Sequence, residues 1–258
     1  MALWSLPQSR RPELMDDPAL GEADHFQALR ALARINTLSC TAAQIAAAVP
    51  RVVQQRLRHG TGRPLVVVDV GCGGGDVTAG IAGRLAQDPR LGPTRVVGID
   101  ISPRAVGYAQ ARTTPLSGDV SFSVHDAIAA GCPPCDVAVS SLFLHHLDDA
   151  TASALLHSMA AACAEGIVVS DLVRSPVGLA LAIVGTRLLS GSRVARMDGP
   201  SSVRAARTPA EYRRLLDAAG LGGATISRIW PERVLVTWRN PRAARRQAPV
   251  EAPHARPR

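Results

Sequence analysis

The feature that most restricts this chain is residues 65–76, LVVVDVGCGGGD, where an apolar, β-branched run passes directly into a cluster of glycines. A continuous run of that kind suits a strand buried on both faces of a parallel sheet; a half-exposed strand would alternate polar and apolar residues. The glycines allow a sharp bend and leave the backbone bare, so a ligand can lie against main-chain amides at the start of the next helix. In an open α/β sheet this is where nucleotide-like ligands bind.

The pattern continues downstream. Strand-like stretches at residues 95–100, 120–125, 136–141 and 166–171 alternate with helical ones at 76–87, 103–112 and 150–164. Parallel strands need crossover helices, so the alternation predicts an α/β, doubly wound, mostly parallel sheet covered on both faces. A helix over 209–220 is opened by Thr208 and Pro209 and stopped by Gly220. Residues 224–230 and 233–239, separated by Pro231 and Glu232, then read as an antiparallel hairpin, which brings the sheet to seven strands.

Two additions flank this 61–240 domain. Residues 22–36 and 41–59 carry apolar side chains at helical spacing, so residues 1–60 read as an N-terminal helical cap. Residues 172–207 are too long for a simple connection: 176–189 is apolar and helical in pattern, and a Ser/Arg/Gly-rich stretch with Arg193, Arg196, Asp198 and Arg204 follows. An insertion at the active end of such a sheet predicts a helical lid over a largely apolar pocket with arginines at its rim. Residues 241–258, rich in Pro, Ala and Arg, read as a disordered tail.

A length of 258 residues suits one principal domain, and 47% hydrophobic against 19% charged residues is a globular balance. No apolar run is long enough to span a bilayer. The first arginines follow the opening apolar residues and precede acids, the wrong order for a secretory signal, so a cytoplasmic location is expected. Five cysteines, odd in number and irregularly spaced, are expected as reduced thiols. Cys132 and Cys135 form a single C-x-x-C without a second pair, so no metal site is expected. The formal charge of +8 raises nucleic-acid binding, but much of the excess lies in the tail, which makes that partner unlikely on charge alone. All 29 basic residues are arginine, so no lysine can act as a base, a Schiff-base former or a P-loop phosphate ligand.

Which ligand the bend accepts follows from its neighbours. A dinucleotide loop G-x-G-x-x-G would need glycine at 76, where Asp76 stands, and a pyrophosphate would be repelled by Asp69 and Asp76. An acid just before G-x-G-x-G suits instead a ligand bearing an ammonium and a sulfonium. Asp100 ends the second strand and can accept both hydroxyls of a ribose. Asp126 follows the third and can accept from an adenine amino group. Three acids at successive strand tips beside one bend describe a site for a positively charged nucleoside.

VVDVGCGGGD, GIDIS, HDA and CDVAVSSLFLHHL together resemble the successive cofactor motifs of class I S-adenosylmethionine-dependent methyltransferases, particularly the bacterial type of ubiquinone and menaquinone biosynthesis. The resemblance covers about residues 64–171 and, more loosely, the closing hairpin. It implies a Rossmann-like methyltransferase fold with S-adenosylmethionine as cofactor and S-adenosylhomocysteine as product. It places Asp69, Gly71, Cys72, Gly73 and Gly75 around the methionine part, Asp100 on the ribose, Asp126 by the adenine with Ile101 and Ala127 flanking it, and Ser141 at the cofactor.

The sulfonium methyl is already electrophilic, so the protein has mainly to align a nucleophile and exclude water; such positioning is worth about 7–11 kcal/mol. A base is optional. His145 and His146 after the fourth strand, and Asp171 closing the fifth, are the catalytic candidates, with His25 a weaker one. Adjacent histidines on a turn do not point the same way, so at most one is expected to face the acceptor. The expected activity is methyl transfer to oxygen or carbon of a small, hydrophobic aromatic, quinol or polyketide-like acceptor, and a homodimer is compatible with it. The competing readings are an RNA methyltransferase and a binding protein that keeps the fold without turnover. Against the first, Ser140-Ser141-Leu142-Phe143 stands where an Asn/Asp-Pro-Pro-aromatic motif would be needed.

Overall fold

The computed structural model describes residues 6–59, 62–113 and 118–246. Seven strands form one sheet: β1 (Leu65–Val70), β2 (Thr94–Asp100), β3 (Asp119–Val124), β4 (Cys135–Ser141), β5 (Cys163–Leu172), β6 (Thr225–Ile229) and β7 (Arg233–Arg239). Their order across the sheet is β3-β2-β1-β4-β5-β7-β6, parallel throughout except for β7, which runs antiparallel to both β5 and β6. β1 lies between β2 and β4, so the winding direction reverses beside it and a crevice opens past its carboxyl end.

Successive side chains of β1 point to opposite faces, and both faces are covered, which is why its sequence is apolar without alternation. Val67, Val137, Val139, Val168 and Leu235 pack on one face with Ile45 and Val49 of α2 (Thr41–Val52) and Ile81 and Leu85 of α4 (Asp76–Leu85). Val68, Val70, Ala138, Ile167, Val169 and Val234 pack on the other with Leu155 and Met159 of α6 (Asp149–Ala162) and Tyr212 and Leu216 of α9 (Pro209–Ala218). Each fully buried aliphatic side chain of this kind contributes about 1.5–3 kcal/mol. α5 (Pro103–Arg112) completes the crossover from β2 to β3, capped by Ser102, whose hydroxyl accepts from the Ala105 amide at 3.2 Å.

The N-terminal cap is α1 (Glu22–Leu38), α2 and α3 (Gln54–His59). Residues 41–59 divide into α2 and α3; Pro50, which has no N–H to donate, stands in the last turn of α2. The insertion after β5 holds α7 (Pro176–Leu189) and α8 (Arg193–Ala205). The sequence pattern shows α7 but hides α8, because Gly199, Pro200 and two serines interrupt it. Tertiary burial of Val194, Ala195 and Val203 and a cap from Ser192 to the Ala195 amide hold α8 together nonetheless. Its Asp198 carboxylate accepts the amides of Leu14 and Met15 at 3.0 Å each, and Gln8 donates to Ala205 O at 2.9 Å. Residues 6–20 are thereby fastened as a strap along α8.

The expected tail boundary is corrected. After β7 the chain continues as α10 (Pro241–Arg246), with Asn240 donating to Cys163 O at 2.8 Å and Ala243 buried. The rest of the expected tail, residues 247–258, lies outside the described residues. Among the described residues no helix is long and apolar enough to cross a membrane. The five cysteines are free thiols.

Candidate active site

At the carboxyl end of β1 the chain turns through Gly71, Gly73 and Gly75, with φ of 72°, 51° and 74°, a region that favours glycine. Two of these positions are also closed to any side chain. A Cβ on Gly71 would lie 2.5 Å from Phe143 Cγ, and one on Gly75 would lie 2.6 Å from Phe122 and 2.7 Å from Ala109 Cβ. The amides of Gly71 and Cys72 donate to Ile99 O at 2.9 and 3.1 Å, tying the bend to β2. Cys72 contributes only backbone here: its thiol packs with Val106, Ala109 and Phe122, and burial pushes its pKa far up.

The three expected acids stand at neighbouring strand tips, each in a different state. Asp69 is fully buried, takes a 2.6 Å hydrogen bond from Thr78 and leaves Oδ1 without a partner. Burial raises its pKa to about 7; Thr78 opposes the rise, and Asp76 and Asp100 add to it. Asp100 accepts from the Gly73 amide at 2.8 Å through Oδ2 and from the Ser102 amide at 2.9 Å through Oδ1. It therefore fastens the glycine bend to the end of β2. Asp126 accepts the Ile128 and Ala129 amides through Oδ1 at 2.9 and 3.0 Å, the local capping arrangement, and its other oxygen makes no such bond in this turn. Ile101 is 65% exposed beside Asp100 and Ala127 is buried beside Asp126. Ser141 ends β4 and is buried next to Ser140, whose hydroxyl donates to Val70 O at 3.0 Å.

On the far side of the same strand ends, Leu144–His146 forms a 3₁₀ turn after β4. His145 is buried, with Nδ1 2.6 Å from Asp171 Oδ1 at the end of β5. Burial would raise the Asp171 pKa, but the charge and hydrogen bond of His145 and the Leu172 amide hold it below the usual carboxylate value. His146 is held by a different acid: its Nδ1 lies 3.2 Å from Asp16 of the strap. Burial pulls the His146 pKa down, yet the Asp16 hydrogen bond and the negative charge of Glu13, Asp16 and Asp171 raise it to about 9. His25 is buried on α1 of the cap with Nδ1 unpartnered; burial, then Arg104, lowers its pKa. The site as expected thus divides into a glycine-and-acid half and a His145–Asp171 half.

Sequence reasoning missed two groups. Arg207, 1% exposed, donates from one terminal nitrogen to Leu144 O at 2.7 Å and from the other to Leu147 O at 2.8 Å, and pairs with Asp149, so it clamps both ends of the histidine turn. Glu13 of the strap stands by both histidines, Oε1 3.9 Å from His145 Nε2 and Oε2 3.8 Å from His146 Nε2. Neither belongs to a local motif, and no spacing in the chain points to them. Of the residues expected at the rim, Arg196 donates to Ser190 O at 2.9 Å and the Asp198 carboxylate holds the strap. Two depressions of about 230 and 180 Å3 lie along α1 by Arg34 and by Gly74, not over the histidines.

A doubly wound sheet with this strand order and a glycine-and-carboxylate crevice at its switch point defines a nucleoside-binding α/β protein. Residues 67–166 match a family described as a methyltransferase domain. A ubiquinone biosynthesis O-methyltransferase of Xanthomonas axonopodis pv. citri is 30% identical over 181 residues, 67% of this chain and 68% of that protein. The homologue from Xanthomonas oryzae pv. oryzae is 32% identical over 129 residues, 48% of this chain and 50% of its own length. Among solved structures, the plantazolicin methyltransferase BpumL in complex with SAH superposes with a TM-score of 0.58 at 16% identity, over 84% of this chain and 94% of that one. An O-methyltransferase family 2 protein from Planctomyces limnophilus, in complex with apigenin, gives 0.54 at 18%, over 87% and 63%. These two share the fold. The chain belongs to the S-adenosylmethionine-dependent methyltransferases, in the family of the ubiquinone biosynthesis O-methyltransferases. S-adenosylmethionine is its cofactor.

Proposed function

We propose that this protein transfers a methyl group to an oxygen or carbon of a small, hydrophobic aromatic or quinol-like acceptor, with the acceptor held against the His145–Asp171 half of the site. The observation that carries this reading is the buried 2.6 Å pairing of His145 Nδ1 with Asp171, which leaves Nε2 free of that bond, 3.9 Å from Glu13 Oε1. The glycine-and-acid half fits the cofactor on physical grounds. Asp69 carries an unpartnered, fully buried oxygen beside a bend closed to side chains, as a cationic ligand requires. Asp100 binds the ribose hydroxyls, Ile101 and Ala127 flank the adenine, and the second oxygen of Asp126 takes its amino group. Gly71, Gly73, Gly75 and the backbone of Cys72 receive the methionine part, with Ser141 at its edge.

When bound, the cofactor supplies an electrophilic methyl on a sulfonium, which an acceptor atom takes in line. The residues of this chain do the remaining work. Asp171 keeps the proton of His145 on Nδ1 and leaves Nε2 basic, so a hydroxyl placed there gives up its proton as its oxygen becomes nucleophilic. The strap, α1, α7 and α8 exclude water from the strand ends, which strengthens every charge interaction inside. Calorimetry with S-adenosylhomocysteine and labelled-methyl uptake onto a panel of phenols and quinols test the reading. Tight cofactor binding with transfer to a phenolic oxygen supports it; transfer to RNA but to no small acceptor overturns it.

A further inference from the structure

We propose that Glu13, His145 and His146 form a binding site for one divalent first-row transition ion of the zinc type. The ligand atoms of these three residues lie within 4.8 Å of one another. Two imidazoles and one carboxylate are the donor set of open, three-ligand zinc sites, in which a further position stays free for water or substrate. The orientation of each ring is the second, independent observation. His145 Nδ1 is held by Asp171 at 2.6 Å and His146 Nδ1 by Asp16 at 3.2 Å, so a carboxylate fixes both rings from behind. Metal-ligating histidines are held this way, with the outer nitrogen anchored and the inner one presented to the ion.

The inner nitrogens converge on one carboxylate. His145 Nε2 is 3.9 Å from Glu13 Oε1 and His146 Nε2 is 3.8 Å from Glu13 Oε2. These separations are too long for hydrogen bonds. They are near the roughly 3.4 Å between two ligand atoms that each stand about 2.0–2.1 Å from a tetrahedral ion. Glu13 Oε1 also accepts from Ser202 of α8 at 2.5 Å, so the carboxylate is itself braced. Three carboxylates, Glu13, Asp16 and Asp171, surround the two rings, an excess of negative charge that favours a cation.

The consequence reaches the strap. Glu13 is the one ligand outside the sheet ends, so an ion here ties residues 6–20 to the histidine turn. A position left open on the ion would be available to the acceptor hydroxyl of the proposed reaction, and on that point alone the inference rests on that reading. In the metal-free protein His145 Nε2 takes the acceptor's proton; in the loaded protein Nε2 would be a ligand, and the ion's charge would lower the pKa of a hydroxyl at its open position, whose proton passes to solvent.

The test is titration of the chelator-treated full chain with Co2+, read as visible ligand-field absorption, with Zn2+ as competitor and S-adenosylhomocysteine binding measured in parallel. One Co2+ should bind with the intense spectrum of a four- or five-coordinate site and be displaced by Zn2+. Glu13→Gln and His146→Gln should each weaken Co2+ at least tenfold while leaving S-adenosylhomocysteine affinity unchanged, and Asp171→Asn should weaken it about 10–100-fold. Absence of such a spectrum, or one unaffected by Glu13→Gln and His146→Gln, overturns the site. Loss of S-adenosylhomocysteine binding in the unsubstituted chain would instead sink the proposed function, so the two failures are separable.

Discussion

Asp171 and His145 are 26 residues apart in the chain and 2.6 Å apart in space, joined because β4 and β5 are neighbours and Ser141 at the end of β4 pairs with Ser170. Asp171→Asn should keep the shape of this contact while removing the charge that fixes the ring tautomer. We expect turnover to fall by about 10²–10⁴-fold, the range of general acid–base assistance, with little change in S-adenosylhomocysteine affinity. Steady-state kinetics beside calorimetry decide it; an unchanged kcat would leave His145 a packing residue.

Asp100 joins three things: the Gly73 amide, the Ser102 amide and, in the proposed complex, the ribose. Asp100→Ala should weaken cofactor binding by about 1.5–3 kcal/mol, the worth of hydrogen bonds to a charged group. Isothermal titration measures this directly, and wild-type affinity in the variant would remove the ribose role.

Arg207 offers a test of positioning. Arg207→Met removes the donors to Leu144 O and Leu147 O without opening a large cavity. Leaving those carbonyls unpaired should cost about 1–3 kcal/mol each, and at this size each kcal/mol lowers Tm by about 2–4 °C. Because the turn carries His145, kcat should drop more than the cofactor affinity does. Equal losses in both would mean a general loss of folded protein instead.

The pH dependence of stability should carry the signature of Asp69. Its folded pKa, raised by burial to about 7, exceeds the ordinary carboxylate value of 3.8, so between these limits the folded state keeps a proton that the unfolded chain releases. The stability it contributes is complete below pH 3.8 and is lost as pH rises through about 7, by about 4 kcal/mol at most. Asp69→Asn should flatten the fall in Tm across that window. A parallel slope in the variant would assign the effect to other groups.

The glycine bend and the order of strands and helices were legible because their causes are local. A β-branched run buried on both faces must be apolar throughout, and the bend needs positive φ at Gly71, Gly73 and Gly75. The same locality made Asp69, Asp100 and Asp126 readable, since each stands at a strand end that its own neighbours define. α8 was not legible: Asp198, Gly199, Pro200, Ser201 and Ser202 at its centre are poor helix formers, and its burial against the strap and α1 overrides that preference.

The sequence by itself determined the sheet, the bend and the carboxylates around it, and with them the cofactor class. Only the tertiary structure decided that His145 meets Asp171 while His146 meets Asp16, that Glu13 from the far N-terminus faces both rings, and that Arg207 holds their turn. These contacts join residues brought together by strand adjacency and by the strap on α8, and no periodicity along a chain encodes such distances.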